Sequence, residues 1–133
     1  MNPRFTFNKA EHLKSGKLIR SLFEKPDFYF FEHPLRLNFL IQSQEKRSFY
    51  PARVLFSVSK RNFKRAVDRN RIKRLLREVY RKNRHILEEI LSSDNKSLCI
   101  TLGYVGKELP NYKDLDDKLF RLFQRLRKEW PNF

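Results

Sequence analysis

The sequence predicts a single α+β domain in which three helices pack on a small β-sheet. Its 133 residues fall within the usual size of one domain. Apolar residues recur at helical spacing in some segments and alternate with polar residues in others. The segments follow one another in the order helix, several strands, helix, strand, helix, which is typical of an α/β sandwich with its helices packed on one sheet.

The N-terminal part is predicted to contain an extended arm and a short helix. Residues 1–8 are expected to form the arm, with Phe5 and Phe7 on one side. Ser15 is a suitable N-cap for a helix over Gly16–Glu24. The apolar residues of this helix recur at i, i+3 and i+4: Ile19, Leu22 and Phe23.

Four segments are candidates for strands. Residues 35–42 and 52–59 alternate between apolar and polar side chains, so each is predicted to have one packed face. Residues 97–104 are predicted to be a further strand. Residues 28–31, FYFF, fit either a strand or an aromatic loop.

A long basic helix is predicted over residues 68–91, and a final amphipathic helix over residues 112–128. At 100° per residue, one face of the long helix is apolar and suits a core: Ile72, Leu75, Leu76 and Val79. The opposite face is basic or amidic: Asn70, Lys73, Arg74, Arg77, Arg81 and Arg84.

The charge of the chain is concentrated on this helix and the segment before it. The net charge is +15, from 30 basic and 15 acidic residues. Residues 60–85 contain twelve Lys or Arg against Asp68 and Glu78, so this segment carries +10 of that total. Solvated helix faces usually mix both signs, whereas a one-sign face predicts a polyanionic partner. The adjacent Arg69, Asn70 and Arg71 combine charge with an amide, which suits RNA.

Other functional classes find little support. One cysteine, Cys99, excludes an internal disulfide and a cysteine-rich zinc site. The three histidines lack metal-ligand spacing, and no glycine-rich phosphate loop or nucleophile motif occurs. Three aspartates near the start of the last helix suit its dipole better than a metal: Asp114, Asp116 and Asp117. The N-terminus lacks an apolar signal segment, so a cytoplasmic protein is expected.

Two segments together resemble the RNR signature of the bacterial ribonuclease P protein component. They are SVSK at Ser57–Lys60 and AVDRNRIKRLLREVYR at Ala66–Arg81. The segment IRSLFEK is similar to the first helix of that family, and the predicted strands fall where the family has them. The linker KRNFKR departs from the family pattern, because it lacks a common glycine and is one residue longer.

The resemblance implies a more specific fold. It implies a small mixed sheet with three helices and a left-handed βαβ crossover through the basic helix, as in domain 2 of ribosomal protein S5. Such crossovers are right-handed in almost all proteins, so the left hand follows from the resemblance alone.

The resemblance also implies a function. The chain would be the protein subunit of ribonuclease P, whose RNA binds Mg²⁺ and removes the 5′ leader of precursor tRNA. The protein would bind that RNA and the leader and broaden the substrate range. It would be monomeric alone and contribute no catalytic residue, bound metal or other cofactor. No membrane or small-molecule substrate is expected.

The resemblance and the charge pattern together predict two sets of site residues. The residues expected to dock on the catalytic RNA are Arg65, Arg69, Asn70, Arg71, Lys73, Arg74, Arg77 and Arg81. The expected leader cleft comprises Phe5, Phe7, Ile19, Phe23, Phe39, Ser57, Ser59 and Lys60. Whether Phe39 or Asn38 supplies the strand contact stays open. Tyr104 stands where a basic residue is common, which favours stacking there.

Three other hypotheses fit part of the pattern. A structural RNA-binding protein of the ribosomal type would carry the same charge without an aromatic cleft. A DNA-binding protein would need a helix-turn-helix or a dimer seam, and neither is evident. A membrane-surface helix would present Trp or Phe on its apolar face, where this helix has Ile, Leu and Val.

Overall fold

The computed structural model describes residues 11–43, 52–92 and 96–130. The predicted arm at residues 1–8, with Phe5 and Phe7, lies outside these residues. The elements are α1 (Gly16–Glu24), β1 (Phe28–Glu32), β2 (Leu35–Ser43), β3 (Ala52–Val58), α2 (Ala66–Ser92), β4 (Lys96–Tyr104) and α3 (Tyr112–Glu129). The α+β prediction is confirmed, and the segment FYFF belongs to a strand rather than a loop.

The four strands form one mixed sheet in the order β1-β2-β4-β3. The β1–β2 and β2–β4 pairs are antiparallel. Strands β3 and β4 are parallel neighbours, and α2 connects them as the predicted βαβ unit. The left hand of this crossover stays a prediction.

The two faces of the sheet are covered differently. Helices α2 and α3 cover one face and form the main hydrophobic core, which includes Leu37, Phe39 and Ile100. On the other face, Leu22 of α1 packs with Leu13 and Cys99 in a smaller cluster. This assignment follows the alternation of each strand, because successive side chains point to opposite faces.

Helix α1 has the predicted bounds and the predicted cap. The Oγ of Ser15 accepts a hydrogen bond from the backbone N–H of Leu18 at 3.4 Å. Leu22 is fully buried and Ile19 is half-buried, whereas Phe23 is 55% exposed. The helix therefore directs one aromatic ring toward solvent.

Helix α2 has 27 residues, so it is about 40 Å long. Ile72, Leu76 and Val79 are fully buried, as the apolar periodicity predicts. The expectation for Arg84 is wrong, since this residue is only 4% exposed and forms an ion pair with the equally buried Glu11.

The reason for the burial of Arg84 lies in the segment that precedes α1. This segment runs beside β3, where the N–H of Leu13 donates to the carbonyl of Val54 at 3.1 Å. Its path brings Glu11 against the flank of α2 and covers Arg84. Helical periodicity cannot report such a contact, because the two residues are 73 positions apart in sequence.

Candidate nucleic-acid interface

The solvent-facing side of α2 is basic along its N-terminal half. Asn70, Arg71 and Arg74 are exposed, and Lys73, Arg77 and Arg81 are half-buried. These six residues are called the basic face below. Their side chains project from a helix whose other side is fixed in the core, so the charge stands on a rigid support.

Three arginines of the basic face have no acidic partner among the described residues. Over the part of the chain that the structure describes, Arg71, Arg74 and Arg81 form no ion pair. The Nε of Arg81 is also shielded from solvent without a hydrogen-bond partner among these residues. By contrast, Lys82 pairs with Asp116 of α3 at 2.6 Å. A phosphate oxygen could satisfy the unpaired guanidinium groups, which bind phosphate in a bidentate manner.

Arg69 differs from the other members of the signature. Its Nη1 donates to the backbone carbonyls of Phe63 and Lys64, at 2.8 Å each. Arg69 is half-buried, whereas its neighbours Asn70 and Arg71 are exposed. The guanidinium group of Arg69 therefore holds the linker between β3 and α2 in place. Its Nη1 is already engaged by these two carbonyls.

The linker is anchored at further points, although it has no glycine. Asn62 Nδ2 donates to the carbonyls of Val105 and Gly106, at 3.4 and 3.3 Å. Phe63 is buried, with its ring centroid 6.0 Å from that of Tyr104. The anchored linker presents four exposed cations: Lys60, Arg61, Lys64 and Arg65.

The stacking contact expected at Tyr104 is wrong. Its side chain is buried, and its hydroxyl donates to the carbonyl of Glu108. Burial raises the pKa of Tyr104, and the charge of Glu108 raises it further. There is also no room for a side chain at Gly106, where an added Cβ would lie 2.5 Å from the Tyr104 hydroxyl. Tyr104 is part of the loop structure.

Neither Phe39 nor Asn38, the two candidates for the strand contact, presents an exposed side chain. Phe39 is fully buried on the face covered by α2 and α3, so the prediction that it contacts a ligand is wrong. Asn38 lies on the α1 face, where its Nδ2 donates to the carbonyl of Leu22 at 3.0 Å. It is buried too, and its Oδ1 accepts from the Nε of Arg36 at 3.1 Å. The exposed polar side chain of this strand is therefore Arg36.

The remaining cleft residues lie on α1 and at the end of β3. Phe23 and Lys60 are exposed, whereas Ile19, Ser57 and Ser59 are half-buried. Ile19 packs on the cluster beneath α1. The Oγ of Ser59 accepts from the N–H of Arg61 at 3.2 Å, so it also shapes the start of the linker.

Three further exposed residues, not predicted as site residues, lie on the α1 face of the sheet: Tyr29, Phe31 and Arg36. Tyr29 is paired with Asn38 and Phe31 with Arg36, and directly opposed residues share a face. The sequence FYFFE does not alternate in hydropathy, so its two faces can be distinguished only once the segment is paired as a strand.

One titratable group near the basic face, His12, has a shifted pKa. Burial, followed by the charges of Arg77 and Lys14, lowers the pKa of His12. Within residues 11–43, 52–92 and 96–130, no three His, Cys, Asp or Glu are placed to hold a metal ion. Asp114 instead accepts from the side chain of Asn111 at 3.0 Å, next to the N-cap of α3.

Comparison with known proteins gives one consistent result. The family model described as Ribonuclease P matches residues 7–127. The ribonuclease P protein component of Porphyromonas gingivalis strain W83 is 32% identical over 98% of this chain and 93% of its own length. That of Chlorobium phaeobacteroides is also 32% identical, over 92% of this chain and 88% of its own.

The fold has a solved counterpart as well. The RNase P protein of Staphylococcus aureus aligns with a TM-score of 0.59 and 18% identity, over 88% of this chain and 95% of the other. At this identity the match supports the fold. None of the helices in the described part of the chain combines the length and hydropathy needed to cross a membrane.

Proposed function

The chain belongs to the ribonuclease P protein family, and on that premise we propose that it binds two RNAs. The basic face binds the ribonuclease P RNA, and the leader cleft binds the 5′ leader of precursor tRNA. The resulting complex removes the leader and makes the mature 5′ end of the tRNA. We propose a cytoplasmic location for this complex.

The observation that carries the proposal is the rigid, one-sided charge of α2. Arg71 and Arg74 are exposed and form no ion pair with any described residue, while Ile72 and Leu76 hold the same helix in the core. Each phosphate contact releases counterions, which gives affinity without sequence preference. This chemistry suits docking on a large folded RNA.

The leader cleft has a different chemistry, which suits a single strand of variable sequence. An exposed ring is provided by Phe23 of α1, and an exposed cation by Lys60, in the linker that follows β3. Stacking on an aromatic ring is tolerant of sequence, because every base has a flat face. The cleft can therefore accept the differing leaders of many precursor tRNAs.

In this proposal the protein positions RNA and the RNA performs the cleavage. The catalytic Mg²⁺ would be bound by the RNA, and the protein would contribute by holding the leader. The binding energy of the leader, which does not react, is then used to orient the scissile phosphate.

Reconstitution with a bacterial ribonuclease P RNA at low Mg²⁺ concentration tests the proposal. Arg71→Ala combined with Arg74→Ala should lower the affinity for the RNA and reduce the salt slope by about 1.5, because two phosphate contacts are lost. The control is Lys113→Ala with Lys128→Ala, which removes the same charge from exposed positions on α3.

The two variants separate specific docking from general electrostatics. The proposal predicts that the α3 control stimulates precursor-tRNA cleavage as the wild-type chain does. If the wild-type chain binds the RNA but never changes cleavage, the chain is a structural RNA-binding protein and the proposed function is wrong.

A further inference from the structure

Strand β1, at one edge of the four-stranded sheet, carries two exposed aromatic rings that the proposed function does not use. Tyr29 is 56% exposed and Phe31 is 50% exposed, and both lie on β1. Among the described strands, β1 pairs only with β2. Edge strands are usually protected by charged side chains, and exposed apolar groups on them mark interaction sites.

These rings continue the surface that contains the leader cleft. The register places Phe31, Arg36, Gly103 and Ser57 opposite one another, in one row across the four strands. A Cβ added to Gly103 would lie 3.0 Å from the Oγ of Ser57, so the two positions share a face. The row therefore runs from a cleft residue at β3 to the aromatic edge at β1.

A cation lies among these rings. The guanidinium carbon of Arg36 is 4.7 Å from the ring centroid of Tyr29, which is within the range of a cation–π contact. The Nε of Arg36 donates a hydrogen bond to the Oδ1 of Asn38, which fixes the orientation of the Arg36 side chain. The group formed by Tyr29, Phe31 and Arg36 is called the edge platform.

The charges around the edge platform fit RNA. Glu32, the acid nearest in sequence, points to the other face, where it pairs with Lys118 and Arg121 of α3. The carboxylate of Asp27 accepts from the N–H of Ile41 at 2.7 Å and so continues the strand pairing. A net charge of +15 opposes association with a second copy of the chain and favours a polyanion.

We propose that the edge platform binds single-stranded RNA, namely the part of the precursor-tRNA leader that extends beyond the leader cleft. This inference rests on the proposed function and adds a second site to it. Bases stack on Tyr29 and Phe31, and Arg36 pairs with the phosphate between them. The contact depends on leader length, because only a leader long enough to cross the sheet reaches β1.

The test combines a variant at the platform with a series of leaders. Tyr29→Ala with Phe31→Ala is compared with Phe120→Ala in the reconstituted holoenzyme. Phe120 is a matched control, since it is 47% exposed but lies on α3, on the opposite side of the sheet. Binding of precursor tRNA is measured while the leader is shortened one nucleotide at a time.

The expected result is a loss of affinity confined to long leaders. For these, the double variant should bind about 100-fold more weakly, because two stacked bases are lost at about tenfold each. For short leaders it should match the wild-type chain, and Phe120→Ala should match it throughout. Tyr29→Leu with Phe31→Leu keeps the apolar area without a flat ring, and it should lose affinity in the same way.

Other outcomes would overturn the inference. Equal loss at every leader length would show that the substitutions act on the leader cleft, and unchanged affinity would show that the platform does not bind the leader. Altered sedimentation of the free double variant would identify β1 as a contact between copies. A wild-type holoenzyme that is indifferent to all leaders would refute the proposed function itself, which is a separate result.

Discussion

Replacing Arg84 with methionine separates a structural arginine from the basic face. The Arg84 side chain is 5% exposed, and its partner Glu11 is completely buried. Methionine keeps most of the volume but removes the charge, so the carboxylate of Glu11 would remain buried with its main partner lost. We expect this substitution to destabilise the fold.

The magnitude follows from the burial of both groups. Removing one partner of a buried ion pair costs about 3–5 kcal/mol, because the remaining charge is uncompensated. Since domains have total stabilities of about 5–15 kcal/mol, this is a large fraction. Glu11→Gln combined with Arg84→Met should recover most of the loss, since the carboxylate partner of Arg84 that is then left charged, Glu88, is 38% exposed.

The assay compares Arg84→Met with Arg81→Met on the same helix. Urea denaturation gives the free energy of unfolding, and titration with the ribonuclease P RNA under folding conditions gives the affinity. Arg81→Met should change stability by less than about 1 kcal/mol, since Arg81 is half-buried without an ion pair to any described residue, but it should weaken RNA binding. Arg84→Met should lower stability strongly and leave the affinity for the RNA unchanged.

The contrary result would be that Arg84→Met leaves stability within about 0.5 kcal/mol of wild type and weakens RNA binding as Arg81→Met does. Arg84 would then belong to the basic face, and its pairing with Glu11 would be incidental.

Three further predictions concern other parts of the fold. Burial alone would raise the pKa of Asp116, but hydrogen bonds from Lys82 and Asn83 outweigh it and lower the pKa. The ionised carboxylate therefore stabilises the fold above its unfolded pKa near 3.8, and this stabilisation is lost as the pH falls through the folded pKa. The difference in unfolding free energy between wild type and Asp116→Asn should be constant near neutral pH and shrink in acid. Phe63→Ala should cost about 3 kcal/mol in urea denaturation and Phe63→Leu about 1 kcal/mol, because a buried ring anchors the linker. Burial raises the pKa of Cys99, so its thiol should react with a disulfide reagent only after unfolding; rapid reaction of the native protein would contradict its burial.

The elements of the fold were largely predictable because their signals are local. The cap at Ser15 and the alternation over 35–42 and 52–59 depend on neighbours within a few residues, and the structure has strands and a helix there. The long helix begins two residues earlier than predicted, at Ala66 rather than Asp68. The strand order is a different matter, because it depends on contacts between distant segments.

The candidate site was less predictable, for the same reason. Periodicity placed Arg84 on the face opposite the core, whereas the segment around Glu11 buries it through a tertiary contact. Alternation showed that Asn38 and Phe39 point to opposite faces, but not which face was covered by two helices. Tyr29 and Phe31 were overlooked because a run of aromatics has no period of its own.

The structure also divides the signature Arg69, Asn70 and Arg71 into separate roles. Arg69 donates two hydrogen bonds to the carbonyls of Phe63 and Lys64, so its removal would release the linker. Asn70 and Arg71 are exposed and can contact a ligand directly. A variant that lacks all three side chains would therefore lose RNA affinity for two reasons at once. Separate substitutions are needed to distinguish the two causes. For Arg71→Ala, the salt dependence of RNA binding reports a lost phosphate contact, and for Arg69→Ala, the free energy of unfolding reports a lost anchor of the linker.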